Sequence, residues 1–315
     1  MYVIIRHFIL SISTAINLSK AQGVFSFFRI FYIRFFYAFS FIRNFVNSNN
    51  SKVKNITSSN YFIKNIKSTK VINDLNKFGY NDFLKVKNSY LNNIKKEITL
   101  NNASISFKGH KKSKGFLKEL NSRDNLNSLL SKSKKNKIPH VALNIDISKT
   151  KYIKSLATSN FFMNIARDYI NSDKISVSGQ CYISNPSKVT EAEKKDNAQY
   201  FHYDNDFKKF FKIFIYLNDV SSLAGPHSFI VSTNKNKKFR HIVADRIEDA
   251  EIERNYNLNN IKIFNGKKGQ VIIEDTFGLH KGNLPIKKSR LMIILIYGHG
   301  FGINIYKNPI LKKFQ

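Results

Sequence analysis

Gln199-Tyr-Phe-His202-Tyr-Asp204 leads into Phe210-Phe-Lys-Ile-Phe-Ile-Tyr216-Leu-Asn-Asp219, an aromatic, strand-like stretch with a histidine and an aspartate two positions apart. In extended backbone, residues i and i+2 lie on one face, so His202 and Asp204 can reach toward one point. A second histidine follows at His280, in Asp275-Thr-Phe-Gly-Leu-His280-Lys-Gly282. Two imidazoles and one carboxylate are the ligand inventory of a facial triad, which suits Fe(II) and leaves positions open for a cosubstrate and O2. A lone His-x-Asp is common by chance. The order around it strengthens the reading: strand, His-x-Asp, strand, the turn at Gly225-Pro226, more strands, then a histidine at a strand end. The plain alternative is a satisfied His202–Asp204 polar pair with His280 at the surface.

Arg290 lies ten positions beyond His280 and opens the apolar run Leu291-Met-Ile-Ile-Leu-Ile-Tyr297. A single arginine entering a buried strand needs an anionic partner, because an unpaired buried charge is costly. A guanidinium grips a carboxylate through two parallel hydrogen bonds. The far carboxylate of 2-oxoglutarate is one such partner. An internal ion pair to Asp219 or Asp275 is the other.

Working outward, strand-like segments fall at about 175–183, 198–204, 210–218, 227–231, 261–264, 270–274 and 290–298, where turn signals separate short apolar runs. They predict a barrel or sandwich. Upstream, apolar residues recur at helical spacing between Ile153 and Ile170. A short amphipathic helix is expected from Val71 to Phe78, closed by Gly79, and another over 88–98. Residues 101–137, rich in Lys, Ser and Asn, read as a solvated loop region or a basic lid. Residues 48–70 read as a linker. The expected organisation is a Phe-rich basic helical segment over 1–47, that linker, and a catalytic domain over 71–315 whose motif-bearing core spans 175–300.

Residues 1–47 are apolar but interrupted by Lys20, Arg29, Arg34 and Arg43, which argues against a membrane-spanning helix. The arginines fall on different sides of a helix, so helices packed on the domain or a partner are expected, with peripheral membrane contact as the alternative. The net charge is +31 and aromatics make up 14% of the 315 residues, with no Trp. Scattered basic residues without a nucleic-acid motif argue against a nucleic-acid partner and favour anionic small molecules over cationic ones. The one cysteine, Cys181, excludes an internal disulfide or a cysteine metal cluster; it reads as a buried structural thiol in a reducing cytoplasm. His227 and His241 lie between the motifs, and His227 is expected to be structural or to line a pocket. His7, His110, His140 and His299 are expected at the surface or in packing, and Lys212 among solvated lysines. Lys281 is the lysine placed to meet an anionic substrate.

Taken together, Gln199–Asp204, Phe210–Val220, Gly225-Pro-His-Ser-Phe-Ile230 and Gly269–Gly282 with Arg290 resemble the phytanoyl-CoA dioxygenase family. The resemblance covers about residues 70–300, most clearly 175–300. It implies a mainly β fold with added helices: a double-stranded β-helix core of the jelly-roll, cupin-like kind with a helical N-terminal part. It also implies Fe(II)- and 2-oxoglutarate-dependent hydroxylation of a small molecule, with O2 consumed and succinate and CO2 released. His202, Asp204 and His280 match the family's iron ligands, Arg290 its 2-oxoglutarate arginine, and Tyr216 the aromatic beside the cosubstrate. Asp275 is a possible partner orienting an imidazole. Val231-Ser-Thr-Asn departs from the family's Gly-Ser-His, and the Phe-rich N-terminus has no family counterpart. Related halogenases lack the carboxylate, so Asp204 disfavours halogenation. The rival reading is a non-catalytic basic β-barrel protein attached to a membrane or nucleic acid.

Overall fold

The computed structural model describes residues 2–22, 24–36, 38–39, 55–58, 61–106, 113–242, 246–299 and 310–313. His110 lies outside them, as do residues 40–54. The strands are β1 (Tyr80–Asn81), β2 (Ala103–Ser106), β3 (His140–Ile145), β4 (Lys174–Ser184), β5 (Phe210–Tyr216), β6 (His227–Ile230), β7 (Ile261–Phe264), β8 (Val271–Glu274), β9 (His280–Gly282), β10 (Arg290–His299) and β11 (Ile310–Lys313). They form an 8-stranded sheet in the order β1-β8-β5-β10-β4-β3-β2, with β11 also on β4, and a 3-stranded sheet in the order β7-β6-β9. All pairings are antiparallel.

Residues 199–204 make no regular strand. Bridges at Phe201↔Ile247 and His202↔His280 add them to the β9 edge of the smaller sheet. From β4 to β10 the chain then alternates between the sheets, with only β6 and β7 successive in the smaller one. This is the double-stranded β-helix winding, a jelly roll that holds its interior between two sheets.

The period-2 alternation of a strand decides which side chains enter that interior. On β10, Leu291, Ile293, Leu295 and Tyr297 face one way, into a large core shared with the helices Ser68–Phe78, Asn88–Glu97, Leu126–Lys135, Tyr152–Ala157 and Asn160–Ile170. Met292, Ile294 and Ile296 face the other way and meet Phe214, Tyr216, Phe229 and Phe264 between the sheets. Cys181 is fully buried on the helix side, where burial pushes its thiol up to about 12, so it is an inert packing residue.

The helix starting at Ser68 ends at Phe78 because Gly79 takes φ +87 and its N–H bonds back to Asp74 and Leu75, an αL stop that favours glycine. The helical stretch expected over 153–170 is two helices, broken at Thr158-Ser159, where the Ser159 hydroxyl accepts from Phe162 N. Residues 101–137 differ from the expected loop. β2 and the helices Ser113–Lys118 and Leu126–Lys135 lie there. Phe116, Leu126 and Leu129 anchor them in the large core, and Asp124, nearly buried, pairs with Lys132 at 2.7 Å. A high Lys, Ser and Asn content hid three apolar anchors, of which Leu126 and Leu129 are at helical spacing on one helix. Phe62, 2% exposed, likewise ties the stretch before Ser68 to the domain through its bridge to Val86.

Candidate metal centre

The cross-strand bridge His202↔His280 is the frame of the site. Each residue's N–H donates to the other's carbonyl, at 3.0 and 2.8 Å, so the two imidazoles leave neighbouring strands side by side, ring centroids 4.3 Å apart. Asp204 is held nearby because its N–H donates to Thr276 O at 2.8 Å. Asp204 Oδ2 lies 3.4 Å from His280 Nε2, and Oδ1 lies 4.0 Å from His202 Nε2. One ligand atom from each of the three residues lies within 4.8 Å of the others.

The imidazoles carry the tautomer a metal needs. His202 Nδ1 contacts Tyr200 O and His280 Nδ1 contacts Gly278 O, each at 3.0 Å. A carbonyl only accepts, so each Nδ1 carries the proton and each Nε2 presents a lone pair to the site. Burial, with His280 alongside, drops His202 well below the usual histidine range and keeps it neutral. Burial also opposes charge on His280, but Asp204 outweighs it and raises that group. Burial acts against ionised Asp204 too, yet Lys212, His280 and His202 together hold the carboxyl well below its usual range. Two imidazoles and one carboxylate on one side of a point fit Fe(II) with open positions opposite, metal binding taking the place of any proton on His280 Nε2.

Arg290 enters the same interior, 5% exposed. Its Nη1 donates to Gly225 O and its Nη2 to Ser184 Oγ at 3.4 Å. Its Nε is buried with no partner. Among the described residues no carboxylate pairs with it. Asp219 binds Lys267 and Lys268 N, and Asp275 accepts from Tyr169, Asn234 and Phe277 N. Two glycines make room here. A Cβ on Gly282 would lie 2.6 Å from Arg290 Nη2, and Gly225, at φ +67, packs its Cα against the Asn283–Pro285 backbone. A buried guanidinium with donor capacity to spare is a seat for an anion.

Tyr216 is fully buried on the strand beside β10. Its hydroxyl donates to Phe264 O at 2.9 Å and accepts from His227 N at 3.1 Å. It therefore ties β5 to the smaller sheet and offers its ring to the interior. Asp275 closes the 275–278 turn that delivers His280, through its carboxylate to Phe277 N and its carbonyl to Gly278 N.

Two residues of the site went unrecognised. Lys212 was expected among solvated lysines but is 12% exposed and donates to Asp204 Oδ2 at 2.8 Å and lies 3.2 Å from Asp206. Glu274, directly across from Lys212 in the sheet register, is fully buried. Its Oε2 lies 3.0 Å from His227 Nε2 and its Oε1 lies 3.9 Å from His280 Nδ1. Burial pushes Glu274 up to about 8 and drops His227 well below the usual histidine range. His227 thus lines the interior, its ring 5.5 Å from that of His280. The signal was available: each is the lone charge in an apolar strand, the argument that singled out Arg290. His241 stands apart, bonded to Tyr256 and Glu251. Lys281 is committed to Asp249 at 2.6 Å.

No protein-family model matches the chain, and no curated protein matches it. Its structure is similar to "EctD from S. alaskensis with bound Fe", at 11% identity over 84% of this chain and 96% of that one, TM-score 0.49. It is also similar to the "non-heme alpha ketoglutarate dependent carbocyclase SnoK from nogalamycin biosynthesis", at 12% identity over 80% and 85%, TM-score 0.44. A third is "HygX from Streptomyces hygroscopicus with nickel and 2-oxoglutarate bound", at 12% identity over 74% and 87%, TM-score 0.45.

Proposed function

We propose that the chain is an Fe(II)- and 2-oxoglutarate-dependent dioxygenase of phytanoyl-CoA dioxygenase type that hydroxylates a small molecule. The observation that carries this reading is a pairing within one interior: a triad of two imidazoles and a carboxylate, and a buried arginine with no acidic partner among the described residues. A dicarboxylate can answer both, one end at the metal and the other at Arg290.

When bound, Fe(II) with 2-oxoglutarate and O2 supplies the oxidation: one oxygen atom goes to the substrate C–H bond and the other to succinate, with CO2 released. The protein's part is placement. Tyr200 O and Gly278 O hold the Nδ1 protons of His202 and His280, so both Nε2 lone pairs point to the metal position. Lys212 holds Asp204 Oδ2 and keeps the carboxylate ionised. Arg290 binds the distal carboxylate, and the Phe214, Met292 and Ile294 wall excludes water from the chemistry. The net charge of +31 favours an anionic substrate.

The test is 2-oxoglutarate decarboxylation by wild type and Arg290→Ala. Iron-dependent succinate release by wild type, with a 2-oxoglutarate KM raised about hundredfold in the variant, supports the reading. Equal KM values would remove 2-oxoglutarate from it.

A further inference from the structure

The first 73 residues contain ten lysines and arginines and no aspartate or glutamate. Within them the helices Tyr2–Gln22 and Val24–Phe36 form a hairpin. Its seam is aromatic: Phe8 meets Phe31 and Phe35 edge-on, and His7 stacks on Phe35 and contacts its carbonyl. Ala15, Ile30 and Ile33 fill the seam further along.

The seam leaves a second apolar surface in water. Ile4, Ile5, Phe8, Ile9 and Ile16 of the first helix are 43–59% exposed, and Phe28 of the second is 68% exposed. At about 100° per residue, Ile5, Ile9 and Ile16 fall along one line of the helix. A line of exposed apolar side chains on one helix, denser than the single exposed apolar residues elsewhere, marks an interaction site. No helix among the described residues is long and apolar enough to cross a membrane, so insertion across a bilayer is not what this surface is for.

The hairpin is fixed to the catalytic domain rather than loosely tethered. Asn205, 1% exposed and next to Asp204, donates from Nδ2 to the carbonyls of Ile33 and Arg34 at 3.1 and 3.3 Å. Phe39 packs on Phe239 with ring centroids 6.2 Å apart, and the Lys208 ammonium lies 5.8 Å from the Tyr32 ring.

We infer that this hairpin is a docking surface for an anionic lipid membrane. Charge chooses among occupants. A second copy of the chain would bring the same acid-free, basic segment against itself. Nucleic acid would answer the lysines and arginines but gives no reward for covering exposed isoleucines. A bilayer interface answers both, because acyl chains accept exposed Ile5, Ile9 and Phe28 while anionic headgroups answer the acid-free, basic sequence of the segment. The inference is independent of the metal centre, and its test does not pass through the reaction.

Sedimentation of the full chain with vesicles decides it. Vesicles of phosphatidylcholine mixed with phosphatidylglycerol should carry the protein down, phosphatidylcholine alone much less, and added salt should release it. Ile5→Glu and Ile9→Glu, both at exposed positions, should each weaken partitioning about tenfold or more, with thermal melting unchanged. Variants that partition as wild type does, or binding to duplex DNA or polyglutamate without binding to anionic vesicles, would overturn it. Fe(II) binding, measured on the same samples, is expected to be the same in all three proteins; a docking failure with intact metal binding sinks this inference alone.

Discussion

The two faces of strand β10 meet different surroundings. Leu291, Ile293, Leu295 and Tyr297 pack against helices in the larger core. Arg290, Met292, Ile294 and Ile296 look between the sheets, where the triad lies. The residues alternate one by one, so the helix-packed core and the candidate site are lined by neighbours on the same backbone. The lesson is that burial alone does not mark a site. Both faces are buried, but only the inner one admits charge: Arg290 on β10, Lys212 on β5 and Glu274 on β8. Each of these has an ionisable or polar neighbour inside the barrel or spare capacity for a ligand.

If that division is right, substitutions on the two faces should separate stability from binding. The largest effect is expected for Asp204→Ala. It removes the carboxylate of the candidate triad and leaves Lys212 with Asp206, so Fe(II) binding at equimolar metal should vanish while the chain stays folded. Calorimetric metal titration checks this, and retained stoichiometric binding would break the assignment. Leu295→Ala, on the helix face, should cost about 2–5 kcal/mol of stability with metal stoichiometry unchanged below the melting temperature. Denaturant unfolding measures it.

A subtler effect concerns Glu274. Its folded-state pKa is raised from 4.5 to about 8, so the native chain keeps a proton that the unfolded chain releases above its own value. Stability from this group is therefore greatest below about 4.5 and falls as pH rises toward about 8. Glu274→Gln should flatten the stability profile in that window, as read from melting temperatures across pH; an unchanged slope would show that the carboxyl titrates normally. The smallest expected effect is at Cys181. Its thiol, buried and pushed up to about 12, should resist thiol reagents at pH 8 until the protein unfolds, and rapid native labelling would contradict the packing.

Much of this arrangement was legible before the structure. His202, Asp204, His280 and Arg290 are separated by up to 88 positions; a strand-period argument joined His202 to Asp204, a cost-of-burial argument gave Arg290 an anionic partner, and the family resemblance gathered all four at one site. The strands bearing alternating apolar residues, β4, β5, β6, β7, β8 and β10, were all anticipated to within a few residues. Among the elements, strand β3 escaped, as did short edge strands and the helices of 101–137. Short edge strands such as β1 and β2 owe their form to neighbours rather than to their own sequence. Residues 101–137 hid their helices because lysine-rich surfaces mask a few apolar anchors. The role of Glu274 was missed for a different reason: its partner His227, 47 positions away, sits on the other sheet, and how the two sheets face each other is not revealed by a single sequence.

The most direct test of the central claim is anaerobic titration of the purified chain with Fe(II) and then 2-oxoglutarate, followed by visible absorption. The account predicts a metal-to-ligand charge-transfer band at one equivalent of each, lost in Asp204→Ala and shifted to much higher 2-oxoglutarate concentration in Arg290→Ala. A wild-type chain that binds Fe(II) but gives no band at saturating 2-oxoglutarate would contradict it.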